Sequence, residues 1–187
     1  MQDKIAKDIR DNIAVKEAIL KNQLPLIEQA AKAVSDCLKS GNKLLFFGNG
    51  GSASDSQHLA AEFVGRYEKE RRALPAISLT TDTSILTAVG NDYGFDRVFA
   101  RQVEGLGRKG DVAFAISTSG NSKNVILAIE KAKQMGIYTI GFTGRSGGAM
   151  KSMTDLSIVI PSEKTSRIQE SHIMIGHIIC ERVDELL

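Results

Sequence analysis

Five short apolar runs punctuate the chain, at residues 43–47, 76–80, 111–116, 137–142 and 156–160. Each is strand-length and bounded by turn residues, which predicts strands buried on both faces. Helical periodicity fills the intervals. Ile5, Ile9 and Ile13 recur every four residues and continue loosely to Ile19 and Leu20, so one long amphipathic helix opens the chain. A second is expected from about 24 to 38, ending at Gly41, with others over 124–135 and 166–187. Residues 82–106 read as two short helices broken around 90–94. Strand and helix alternate, so the fold class is α/β with a doubly wound five-stranded parallel sheet. Its expected order is the flavodoxin-like 2-1-3-4-5. There strands one and three are neighbours whose connections leave to opposite sides, opening a crevice for a ligand.

No repeat, low-complexity tract or linker interrupts the pattern, and 187 residues with 42% apolar content suit a single domain with its own core. Within it, residues 1–41 form a helical segment whose isoleucine face suits oligomerisation, and 42–187 the α/β core with its last helix. The net charge is only +2, and the mixed-sign run at 68–72 reads as a solvated loop, so nucleic acid is excluded as a direct ligand. The first ten residues are charged and amphipathic, unlike a signal peptide, and no apolar run is long enough to span a bilayer. Cys37 and Cys180 stand far apart in no metal or redox spacing, as expected of buried thiols in a reducing cytoplasm.

The ends of strands one and three carry the candidate chemistry. The run at 44–47 stops at Gly48, Asn49, Gly50, Gly51 and Ser52, and a helical pattern follows at once. Glycines let backbone N–H groups approach a ligand, Ser52 and Ser54 can cap the new helix, and its positive end favours an anion. Four residues apart on that helix, His58 and Glu62 share a face. After strand three, Ser117, Thr118, Ser119, Gly120, Asn121 and Ser122 repeat the design with hydroxyls. One such loop could be an ordinary tight turn; two at a switch point predict a site for a small phosphorylated molecule. Nucleotide fingerprints fail. No Lys follows the glycines as in a P-loop, and the acidic residue after strand two, Asp82, lies beyond the offset of a dinucleotide site.

With these residues assembled, the chain resembles the sugar-isomerase (SIS) domain over nearly its whole length. The two loops are similar to that superfamily's sugar-phosphate loops. Gln57-His58-Leu59-Ala60-Ala61-Glu62, Gly65-Arg66-Tyr67, Gly90-Asn91-Asp92-Tyr93-Gly94 and Arg167-Ile168-Gln169-Glu170, followed by His172 and His177, narrow the resemblance to the phosphoheptose isomerases. That resemblance implies conversion of sedoheptulose 7-phosphate to D-glycero-D-manno-heptose 7-phosphate, on the way to nucleotide-activated heptose for lipopolysaccharide. It also implies a cytoplasmic homotetramer with active sites near subunit contacts and one Zn²⁺ per subunit. By the same resemblance Asn49, Gly50, Gly51, Ser52, Glu62, Asn91, Asp92, Ser117, Thr118, Ser119, Ser122 and Gln169 contact substrate. His58, Glu62, Gln169 and His177 match the zinc ligands, with Glu62 and His177 the acid/base pair.

Ketose–aldose conversion moves a proton between C1 and C2 through an enediolate, which needs a base near both carbons and a proton donor for the oxygens. Glu62 is the expected base and His177 the acid; His172 is expected at the surface or an interface. A carboxylate held tightly by zinc is a poor base, because the cation lowers its pKa. Gln169 and His177 pose a second difficulty. Eight residues apart on a straight helix, they are separated by about 12 Å of rise. Either the helix is distorted, near Gly176, or the two serve one ion from different subunits. A multimer whose site draws on at least two chains is the expectation. Two alternatives stand beside this reading: a non-catalytic SIS adaptor of the kind that associates with the bacterial replication initiator, and an isomerase of another sugar phosphate.

Overall fold

In the computed structural model, which describes residues 1–187, the five apolar runs pair into one parallel sheet of order β2-β1-β3-β4-β5. The strands are β1 (Leu44–Gly48), β2 (Ala76–Ser78), β3 (Val112–Ser117), β4 (Tyr138–Gly144) and β5 (Leu156–Ile160). Around them lie α1 (Gln2–Asn22), α2 (Leu24–Lys39), α3 (Gly51–Val64), α4 (Thr83–Tyr93), α5 (Val98–Leu106), α6 (Lys123–Gln134), α7 (Met150–Met153) and α8 (Thr165–Leu186). The alternation of side chains along each strand divides the core in two. On β1, Leu44 and Phe46 face α2, α3 and α8, whereas Leu45 and Phe47 face α5 and α6. Phe46 stacks on Phe114 of β3 with ring centroids 4.7 Å apart. Each such side chain, fully buried, contributes about 1.5–3 kcal/mol.

Register sets the position of the site. Leu44 pairs with Val112 and Gly48 with Ile116, so β1 and β3 end level and release their loops side by side.

Several boundaries differ from the sequence expectation, each for a local reason. β2 is three residues rather than five: Leu79 still donates to the Phe46 carbonyl of β1, and at Thr80 the chain turns, its hydroxyl meeting Ser78 and the carbonyl of Ala53. Gly90 lies inside α4, and the break falls at Gly94, whose φ of +83° suits glycine. Asp82 caps α4 through the amide of Ile85. Ser52 and Ser54 do not cap α3: its N-cap is Gly50, at φ +57°, and both serines lie within the helix. The short α7, anchored by buried Met150, carries too little periodicity to read. Nor is the run at 68–72 wholly solvated, since Arg71 turns inward to Asp184. Along α1 only Ile19 is buried; Ile5, Ile9, Ile13 and Leu20 are 49–64% exposed, leaving an apolar stripe open.

Candidate active site

Gly48 is required where β1 meets α3. A Cβ there would lie 2.7 Å from the Ile116 carbonyl oxygen and 2.8 Å from the Ser52 Cβ, so only glycine lets the helix start against β3. The two loops are then joined by a reciprocal amide pair: Asn49 donates to Asn124, and Asn124 donates back, both at 2.9 Å. Asn124, buried in the first turn of α6, is a residue the sequence did not single out.

The loops are not equivalent. At α3 the amides of Ser52 and Ala53 already bond to the carbonyls of Asn49 and Gly50. Gln169 of α8 lies over Gly51, where a Cβ would stand 2.3 Å from its amide nitrogen. At α6 the amides of Lys123, Asn124 and Val125 form no backbone hydrogen bond, and the hydroxyls of Ser117, Ser119 and Ser122 gather beside them. Ser117 lies 2.9 Å from Ser122 and 3.4 Å from Ser119. Free helix-terminal donors with three hydroxyls make this the stronger anion cradle. Thr118 is half-buried in the same loop. The turn after β4 braces it: Ala149 donates to the Asn121 side chain, and Met150 to the Gly120 carbonyl.

The second centre forms where α3 crosses α8. Gly176 permits the approach, since a Cβ there would meet Leu59 at 2.5 Å. One residue on, His177 brings its Nε2 within 2.8 Å of Nε2 of His58, which is itself 3.1 Å from Oε1 of Glu62. One donor atom from each of the three lies within 4.8 Å of the others. The donor set fits zinc: two imidazole nitrogens that cannot both be protonated toward each other, and a carboxylate, leaving a fourth position open. The ring of Tyr67 packs on His177.

Gln169 does not join this group. Because α8 runs unbroken through Gly176, the helix distortion considered from sequence is absent, and within one chain Gln169 stays about 12 Å of rise from His177. Asn91 and Asp92 lie exposed in the last turn of α4, bonded to each other and to nothing in either loop. His172, expected at the surface or an interface, is fully buried within the chain. Its Nε2 lies 3.1 Å from the Thr143 carbonyl oxygen, and burial pulls its pKa down to about 4, keeping it neutral. Burial also pushes the thiols of Cys37 and Cys180 up to about 12, which leaves them inert. One turn before His58, Asp55 has a buried oxygen without a partner, and burial raises its carboxyl to about 6. No alternation or spacing marked it.

The SIS domain family matches residues 9–144. A phosphoheptose isomerase of Aquifex aeolicus is 54% identical over 187 residues, covering 100% of this chain and 98% of the relative. The chain belongs to the phosphoheptose isomerase family. Solved phosphoheptose isomerases from Neisseria gonorrhoeae and Francisella tularensis superpose with TM-scores of 0.93 and 0.95 at 45% and 41% identity. Each alignment covers 98% of both chains. The likeness to these phosphoheptose isomerases therefore extends over the whole five-stranded fold on which the serine cradle and the His58–Glu62–His177 group of this chain are built. No helix is long and apolar enough to cross a membrane.

Proposed function

We propose that this chain is a zinc-dependent ketose–aldose isomerase that interconverts D-sedoheptulose 7-phosphate and D-glycero-D-manno-heptose 7-phosphate in the cytoplasm. The observation that carries the reading is the convergence of His58, Glu62 and His177 in a chain that also builds a serine cradle for phosphate. Full-length likeness to relatives named phosphoheptose isomerase supports the seven-carbon substrate. In this reading the free amides of α6 and the hydroxyls of Ser117, Ser119 and Ser122 hold the phosphate. Glu62 takes the proton from one of C1 and C2 and returns it to the other, while His177 exchanges a proton with the sugar oxygens. His58, Glu62 and His177 would hold the metal, which, when bound, polarises the carbonyl and neighbouring hydroxyl as a Lewis acid. Glu62 serves as base when its carboxylate shifts off the metal, and His177 exchanges its proton through the ring nitrogen the metal leaves free. Asn91, Asp92 and Gln169 are proposed as further substrate contacts, and Gln169 as a fourth ligand.

Distance supports a shared site. Glu62 is eleven residues beyond Gly51 on α3, about 16 Å along the helix from the loops. A homotetramer, closed over the exposed stripe of Ile5, Ile9 and Ile13, would let the metal group of one subunit meet Gln169 and the loops of another. A SIS adaptor that catalyses nothing would have no use for the three-residue group.

The test is incubation with sedoheptulose 7-phosphate and, in parallel, with five- and six-carbon ketose phosphates. Turnover of the heptulose to an aldose, at least tenfold above the shorter sugars in kcat/KM, is expected. Preference for a shorter sugar would replace the substrate, and no turnover of any would favour the adaptor.

A further inference from the structure

Arg71 lies on the segment between α3 and β2, outside both centres, yet its side chain is only 10% exposed and every part of its guanidinium is engaged. Nε donates to Oδ1 of Asp184 at 2.6 Å, and Nη2 donates to the carbonyl of Glu62 at 2.9 Å. Nη1 donates to the carbonyl of Phe63 at 3.0 Å and, at longer range, to those of Arg72 and Gly65. The carbonyls of Glu62 and Phe63 belong to the last turn of α3, where no intrahelical donor remains and the helix dipole favours a cation. Asp184, 6% exposed, lies on α8 seven residues after His177, on the same side of the helix. One planar fork therefore ties the end of the helix that carries Glu62 to the helix that carries His177. The Lys69 amide adds a longer bond to Asp184 Oδ2.

We propose that Arg71 and Asp184 are positioning residues that fix Glu62 and His58 on α3 against His177 on α8 in the geometry the proton transfer requires. The kinetic part of this inference rests on the proposed isomerase activity; the geometric part does not. An uncompensated buried charge destabilises strongly, so removing one partner releases the end of α3. A shift of about 1 Å at a reacting group costs on the order of a hundredfold in rate. Lysine at 71 keeps the charge opposite Asp184 but cannot reach the carbonyls of Glu62 and Phe63 as well.

The chain has three histidines, which makes a direct reading practical. In Arg71→Met, Arg71→Lys and Asp184→Asn, thermal melting first establishes that each variant is folded. Imidazole ¹⁵N resonances and steady-state kinetics are then compared with wild type. Expected are displaced signals for His58 and His177 with His172 unmoved. In Arg71→Met, kcat should fall at least tenfold with KM within threefold, and Arg71→Lys should recover part of it. If Arg71→Met fails to fold, Asp184→Asn, which keeps size and hydrogen bonding, should move the same two signals. Displaced signals in a protein whose wild type turns over no sugar would sink the isomerase reading and leave the positioning role standing. A folded variant with all three signals and kcat unchanged would overturn it.

Discussion

Ser119 and Ser122 illustrate what a single residue does here. Both hydroxyls border the free amides at the start of α6, and neither is near the proton-transfer group on α3. In the proposed function their contribution is anchoring, which ground and transition states share. Ser119→Ala and Ser122→Ala should each raise KM about tenfold or more, since a hydrogen bond to a charged group is worth about 1.5–3 kcal/mol, with kcat within threefold. Steady-state kinetics on the heptulose phosphate check this; a fall in kcat at unchanged KM would place the phosphate elsewhere. At this scale the sequence was informative wherever spacing implied proximity. His58 and Glu62 were legible as a pair because four residues on a helix share a face. Asn124, Asp55 and Arg71 were not, because their roles depend on what a distant segment brings to them. His172 was misjudged for the same reason: burial beneath Thr143 is a tertiary property that no local pattern of α8 records.

Among the elements, the strands were the most legible, because a central parallel strand must be apolar on both faces and so stands out against amphipathic neighbours. β5 falls on the expected residues, and the order β2-β1-β3-β4-β5 is the flavodoxin-like one expected of five alternating strands. Helix ends were less so. Serines near glycines suggested side-chain capping of α3, but Gly50 takes the cap position because its positive φ lets the chain leave Gly48 and turn immediately. The crossing of α3 on α8 left no mark in the periodicity, and only the resemblance placed His177 with His58 and Glu62. It depends on Gly176 lying over Leu59, a contact between residues 117 positions apart in the chain. Yet that crossing, pinned at its far end by Arg71 and Asp184, assembles His58, Glu62 and His177.

For the molecule as a whole, the continuity of α8 turns an ambiguity into a prediction about assembly. His58 and His177 meet within one chain, whereas Gln169 lies two turns away over Gly51. Mixed oligomers of His58→Ala and His177→Ala subunits should therefore stay inactive, because each chain has a broken group of its own. Mixtures of His177→Ala with Gln169→Ala should regain activity, since some sites then combine an intact group from one chain with an intact Gln169 from another. Recovery in the first mixture and not the second would contradict a site divided in this way. The exposed isoleucines of α1 supply the apolar surface such an assembly needs. The central claim is narrower: a carboxylate, Glu62, carries a proton between two carbons of a sugar phosphate. Running the reaction in D₂O and locating the label tests it most directly. The account predicts that any deuterium fixed on carbon in the aldose product of wild type sits at C2, in proportion to how far the Glu62 carboxyl exchanges with solvent before returning its proton, and a loss of turnover of about 10²–10⁴-fold in Glu62→Gln. Deuterium fixed at a carbon other than C1 or C2, or Glu62→Gln activity within threefold of wild type, would contradict it.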